Sequence, residues 1–110
     1  MVARNDSEME VREEEFKEIV GNGHKLVVVD FYAEWCMPCL MLAPIIDDLA
    51  EGMKEVKFVK INVDDNQGLA SKYNVSSIPC LIIFKNGEEV DRLVGAHDGG
   101  VIEKTIREFL

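Results

Sequence analysis

The chain lacks a long hydrophobic run. No apolar stretch approaches the ~18 residues that a membrane-spanning helix needs, so a spanning helix is not expected. The opening residues, MVARNDSEMEVREEEF, hold no apolar segment of the secretory-signal kind as written. Basic residues are the minority, 12 Lys and Arg against 21 Asp and Glu, for a formal net charge of -9. That balance argues against nucleic acid, whose phosphates need a basic patch, and against anionic membrane surfaces. The acidity itself is read as solubility. Cysteine is scarce: three residues, an odd number, do not make a disulfide scaffold. A second CxxC is absent, and Cys80, His24 and His97 are scattered, so a four-ligand zinc site is not expected. The two histidines read as surface residues. Internal repeats, linkers and low-complexity tracts are also missing. This usage points to a reducing, cytoplasmic compartment.

What remains is an ordinary globular chain of 110 residues, 47% apolar and 30% charged, long enough to bury a core and sized for one domain. Residues 1–6 read as a flexible N-terminal tail, and 7–110 as the single domain. SEMEVREEEFKEIV reads as a helix with Ser7 and Glu10 at capping-box spacing. A short strand at Met9–Val11 is the alternative, and GNG at 21–23 ends the helix. KLVVVDFYA is apolar except for Asp30 and predicts a central strand covered on both faces. A helix is expected over Cys36–Glu51, with Leu42, Ile45, Ile46 and Leu49 as its buried stripe and a kink at Pro44. VKFVKINVD predicts a strand, and 66–73 a short helix. CLIIFK and EVDRLVG flank Asn86-Gly87, which predicts a two-residue hairpin turn. A last helix covers 101–110, with Ile102, Ile106, Phe109 and Leu110 on one face. Strands joined through helices imply parallel pairing, and the hairpin adds an antiparallel part. The fold class is α/β, a central mixed β-sheet flanked by helices on both faces.

The chemistry lies in DFYAEWCMPCLMLAP, residues 30–44. A cysteine pair at that spacing can be a redox couple, half of a metal site, or two buried small residues. The strand ends just before Cys36 and a helix starts there, where free N–H groups and the helix dipole favour an anion. That placement favours the thiolate, the reactive form of cysteine, and lowers its pKa. Cys36 is expected to be an exposed nucleophile. Cys39, three residues on and on the same face, is expected to lie deeper and to be the resolving thiol. Pro38 fits a first helical turn, because its missing N–H has no helical partner to lose.

VVVDFYAEWCMPC resembles the active-site region of thioredoxins, whose usual motif is WCGPC. The likeness continues through VKINVDDNQGLASKYNVSSIP, LIIFKNGEEV and LVGA. It implies the thioredoxin fold and protein disulfide reduction through a Cys36/Cys39 dithiol–disulfide cycle, with no cofactor beyond that redox-active disulfide. It implies disulfide-containing protein substrates, and a thioredoxin reductase drawing electrons from NADPH or ferredoxin. A monomer is expected, with no nucleic-acid or membrane partner. The implied substrate-binding residues are Trp35, Met37, Pro38, Ile78, Pro79 and Gly95. Pro79 matches a cis-proline facing the CxxC, with the Ile78 backbone pairing an extended substrate segment. Two positions depart from the pattern: Met37 stands for glycine, and Cys80 for threonine.

Asp30 interrupts a buried run, which predicts a raised pKa and suits a base for Cys39. Lys60 shares a face with Val56 and Phe58, so its amine is expected to approach Asp30. The family has an acid and a lysine at these positions. Cys80 follows Pro79 and is expected near the pair, yet buried and inert. Three rivals to the reductase are a thioredoxin-fold oxidase or isomerase, a metal or iron–sulfur carrier, and a non-catalytic peptide-binding module. Pro38 disfavours the first, because a histidine commonly stands there in such relatives. The intact cysteine pair and Asp30 disfavour the last.

Overall fold

A computed structural model of the chain describes residues 9–21 and 25–110. The tail expected at 1–6, Ser7, the Asn22-Gly23 part of the first helix stop, and His24 lie outside the described residues. The elements run β1 (Met9–Glu10), α1 (Glu13–Gly21), β2 (Leu26–Tyr32), α2 (Met37–Gly52), β3 (Lys57–Asn62), α3 (Gln67–Lys72), β4 (Cys80–Lys85), β5 (Glu88–Val94) and α4 (Gly99–Arg107). The strands form one sheet in the order β1-β3-β2-β4-β5. β1, β3 and β2 are parallel neighbours, while β4 runs antiparallel to β2 and to β5.

β2 is central because its sequence can be buried on both sides. Its odd positions Val27, Val29 and Phe31 join Phe16 and Val20 of α1 and Leu69 of α3 in one core layer. Its even positions Leu26 and Val28 join Leu42 and Ile46 of α2 and Ile102 and Ile106 of α4 in the other. This is strand alternation with an apolar residue on either side. Ile46 and Ile106 have no exposed surface, and each fully buried side chain of that size contributes about 1.5–3 kcal/mol.

The N-terminal region takes the strand alternative. Met9 pairs with Val59 and Glu10 with Lys60 on the β3 edge, so Glu10 cannot serve as a helical capping residue. α1 starts later, where Glu15 Oε1 accepts from the Arg12 N–H at 3.0 Å and Asn66 Oδ1 accepts from the Glu13 N–H at 2.9 Å. Glu13, Glu14 and Glu15 sit at its positive end. α4 starts two residues earlier than expected, because the Asp98 carboxylate caps it by accepting from the Val101 N–H at 2.9 Å. It also ends earlier, and Leu110 is exposed rather than on the buried face. α2 continues through Pro44. The hairpin turn is as read: Asn86 and Gly87 both have positive φ, +52° and +87°, the requirement of a two-residue turn that follows the sheet twist.

Candidate active site

Cys36 is not the first helical residue of α2 but its N-cap, in extended conformation, and its sulfur accepts from the Cys39 N–H at 3.3 Å. Pro38 lies in the first turn and donates nothing, so the Cys39 N–H is left to serve the sulfur. Cys36 and Cys39 are joined in a disulfide, with Cα atoms 5.2 Å apart. When the pair is reduced, the same N–H and the helix N-terminus favour a thiolate on Cys36 over a thiol. The Ile78 carbonyl oxygen lies 3.9 Å from Cys36 Sγ, where it can accept from the S–H of the reduced form.

The exposure expected for Cys36 from the sequence does not hold. Cys36 is 4% exposed and Cys39 5%, so both are nearly covered in the oxidised form. The cause is the capping geometry, which folds the Cys36 sulfur back over the first turn and onto a small cluster of Ala33, Tyr32, Val63 and Ile78. The exposed neighbours are instead Trp35 and Met37.

Trp35 is 71% exposed, so it is not part of the core. Its Nε1–H donates to Asp64 Oδ2 at 2.8 Å. Asp64 in turn is set by a turn in which its N–H donates to Asn62 Oδ1 at 2.9 Å. Sequence reasoning missed Asp64. The Asn62–Asp64 spacing is a legible Asx-turn signal, but the 29-residue reach to Trp35 is not. The Ile78–Pro79 peptide is cis. The Pro79 carbonyl accepts from the Gly95 N–H at 2.8 Å, which ties the proline loop to the end of β5. Gly95 has φ +93°, so any side chain there meets backbone strain.

Asp30 is 5% exposed and stands in register with Lys60 on β3 and Leu81 on β4. By alternation it shares the α2 side of the sheet with Leu26 and Val28. Lys60 is half-buried, and its Nζ lies 5.5 Å from the centroid of the Tyr32 ring. The Tyr32 hydroxyl donates to the Glu10 carboxylate at 2.8 Å. Burial first, then that hydrogen bond, pushes the Tyr32 phenol well above its usual range. Tyr32 was not singled out in the sequence, and Glu10 only as a capping residue. Among the described residues, no group of three or more His, Cys, Asp or Glu side chains is arranged to hold a metal ion.

Cys80 is a free thiol, 1% exposed. Although it follows Pro79 in the chain, it turns into the α1/α3 core layer with Phe31 and Ile82, not into the cluster around Cys36 and Cys39. Burial pushes its pKa up, and the Arg92 guanidinium on β5 opposes that in part. The expected result is that Cys80→Thr keeps disulfide reduction within about a factor of three, a barrier change under ~1 kcal/mol. Mass spectrometry of the oxidised wild type is expected to show Cys80 unlinked. A Cys36–Cys80 link, or a large loss of activity in Cys80→Thr, would make the third thiol part of the mechanism. The raised thiol also has a signed consequence for stability. Below the ordinary thiol pKa of 9.0 both states hold the proton. Above it the unfolded thiol ionises first, so the wild type loses stability relative to Cys80→Thr as pH rises.

The thioredoxin family model matches residues 7–108. The chain is 43% identical over 102 residues to a thioredoxin of Porphyra purpurea, covering 92% of this chain and 95% of that protein. It is 46% identical over 87 residues to thioredoxin-2 of Saccharomyces cerevisiae, with 79% and 84% covered. Its structure is similar to that of Fasciola hepatica thioredoxin, with a TM-score of 0.86, 36% identity, and coverage of 93% and 99% of the two chains. With a cysteine pair capping a helix beside a tryptophan, and relatives of this kind along nearly its whole length, the chain belongs to the thioredoxin family and is a thiol–disulfide oxidoreductase that reduces protein disulfides.

Proposed function

We propose that Cys36 is the attacking thiol and Cys39 the resolving one. The observation that carries this is the cap: the Cys36 sulfur receives the Cys39 N–H at a helix N-terminus, and Cys39 Sγ is already bonded to it. The Cys36 thiolate attacks one sulfur of a substrate disulfide. That S–S bond breaks, one substrate sulfur leaves as a thiolate and takes a proton, and a mixed disulfide forms. Cys39, deprotonated, then attacks Cys36 Sγ. The intramolecular disulfide forms and the second substrate thiolate leaves. Two electrons pass to the substrate, and a thioredoxin reductase fed by NADPH or ferredoxin returns them. Trp35, Met37 and Pro38 on one side, and Ile78, cis Pro79 and Gly95 on the other, are the surfaces we assign to substrate. The backbone of Ile78 would take an extended segment. We further read the protein as a cytoplasmic monomer, with the disulfide as its only redox group. The charge of -9 supports the lack of nucleic-acid and anionic-membrane partners. Among the described residues no helix is long and apolar enough to cross a membrane.

Asp30 is proposed as the base that takes the Cys39 proton, directly or through a water, with Lys60 beside it. Its burial on the α2 side of the sheet supports this role. Asp30→Asn is expected to slow release of the mixed disulfide by about 10²-fold near neutral pH, the usual worth of a positioned base. The gap should narrow at higher pH, where Cys39 ionises unaided. The same change is expected to raise stability, because it removes a buried charge. Rapid-quench measurement of the mixed disulfide tests this. Unchanged release from about pH 6 to 9 would remove Asp30 from the mechanism.

A further inference from the structure

We propose that the outward face of α2 beside the disulfide docks the part of a substrate protein that flanks its reactive disulfide, and that it selects apolar side chains next to that disulfide with basic residues beyond them. The proposal rests on the reductase reading and adds to it a substrate class.

Met37, Leu40, Met41 and Pro44 stand at i, i+3, i+4 and i+7, one face of a helix. They are opposite the face that buries Leu42, Ile46 and Ala50. Met37 is 65% exposed, Leu40 51% and Met41 69%. With Trp35 these are four of the eight large apolar side chains exposed among the described residues, and they fall within seven positions of one another. Single exposed apolar residues are ordinary, but a contiguous patch marks a contact surface. Two of the four are methionines, whose flexible thioethers adapt to varied partners. At about 1.5 Å of rise per residue the stripe is about 10 Å long, the span of about three extended residues. It begins at the residue after Cys36, so a chain lying on it has its own sulfur at the reacting one. The surface around Ile78 offers main-chain pairing, whereas this face offers only side-chain contact, and so discriminates by sequence.

Charge identifies the occupant. Along the same helical face the stripe gives way to Asp48 and Glu51, both exposed. At the Trp35 end stand Glu34 and Asp64, also exposed. The α2 sequence, MPCLMLAPIIDDLAEG, holds no Lys or Arg. An apolar strip with acid at both ends fits a segment with an apolar centre and basic flanks. A second copy of this chain would set acid against acid, which disfavours self-association on this face.

The test uses three synthetic peptides with one disulfide each, flanked by leucine and lysine, leucine and glutamate, or serine and lysine, together with hydroxyethyl disulfide as a substrate without flanks. The readout is kcat/KM for each peptide divided by that for the small disulfide. The wild type is expected to favour the leucine–lysine peptide over each of the others by about tenfold. Leu40→Ser with Met41→Ser should erase the preference for leucine over serine. Asp48→Lys with Glu51→Lys should erase the preference for lysine over glutamate. All four side chains are exposed, so circular dichroism is expected to show both variants folded. Met37 is left unchanged because it sits between the two cysteines. Equal ratios in the wild type, or ratios untouched by these variants, would overturn the proposal. So would a wild-type dimer in sedimentation that dissociates in the Leu40→Ser, Met41→Ser variant, since the face would then belong to a second copy. Failure to reduce any of the four disulfides would overturn the reductase reading itself, and this proposal with it.

Discussion

Cys36→Ser is expected to lower disulfide reduction to the uncatalysed background while leaving the fold intact. In an assay in which dithiothreitol reduces a protein disulfide, the wild type accelerates the reaction and the variant does not. The loss is chemical. A serine hydroxyl is not ionised near neutral pH, even where the Cys39 N–H and the start of α2 would stabilise an anion. The fold survives because serine is among the preferred N-cap residues, and its oxygen can accept from the same N–H. The variant cannot form the Cys36–Cys39 link. Its thermal midpoint is therefore expected to match the reduced wild type and fall below the oxidised one, by roughly the 2 kcal/mol that closing so short a loop is worth. Full activity in Cys36→Ser would place the reacting thiol elsewhere.

The second large effect is expected from Cys39→Ser, and it is different in kind. The first half of the cycle survives: Cys36 still attacks, and the mixed disulfide still forms. The second half fails, because Cys39 is the cysteine bonded to Cys36, with Cα atoms 5.2 Å apart, whereas Cys80 faces the other core layer. Turnover should stop after one covalent adduct per protein molecule, released only when outside thiol is added. Mass spectrometry of adducts trapped from cell extract would locate the partner cysteine and the residues around it. Continued turnover in Cys39→Ser, or an adduct on Cys80, would contradict the assigned order of attack.

Much of this molecule was legible in its sequence, for reasons that can be named. The apolar run Leu26–Phe31, broken only by Asp30, admits one solution, a strand covered on both faces, and β2 is that strand. Asn86-Gly87 admits a turn with two positive φ values, and the structure has it. The cysteine spacing at a strand-to-helix junction, with Pro38 in the first turn, specified a pair at a helix start. These features are local: each depends on dihedral preferences, periodicity or helix-end hydrogen bonding within a few residues.

What the tertiary structure alone decided has a different physical basis. Residues 9 and 10 became a strand rather than a helix start because the β3 edge offered them hydrogen-bond partners, at Val59 and Lys60. Cys36 came to be covered because Ile78, 42 positions along the chain, packs against it. Trp35 is held outward by Asp64, and the Tyr32 hydroxyl by Glu10, across distances that no local pattern encodes. α2 is the clearest case. Its periodicity gave the inward stripe of Leu42, Ile45, Ile46 and Leu49, but MPCLMLAPII is apolar on nearly every side, so nothing local says that the opposite face stays uncovered. The sheet and α4 took Leu42, Ile46 and Ala50, and left Met37, Leu40 and Met41 in solvent beside the disulfide. The sequence by itself determined the redox pair, the strand beneath it and the hairpin. That Cys36 is covered as well as Cys39, which acid holds the tryptophan and which apolar face awaits a partner depended on contacts between elements far apart in the chain, and those exist only once the layers have packed.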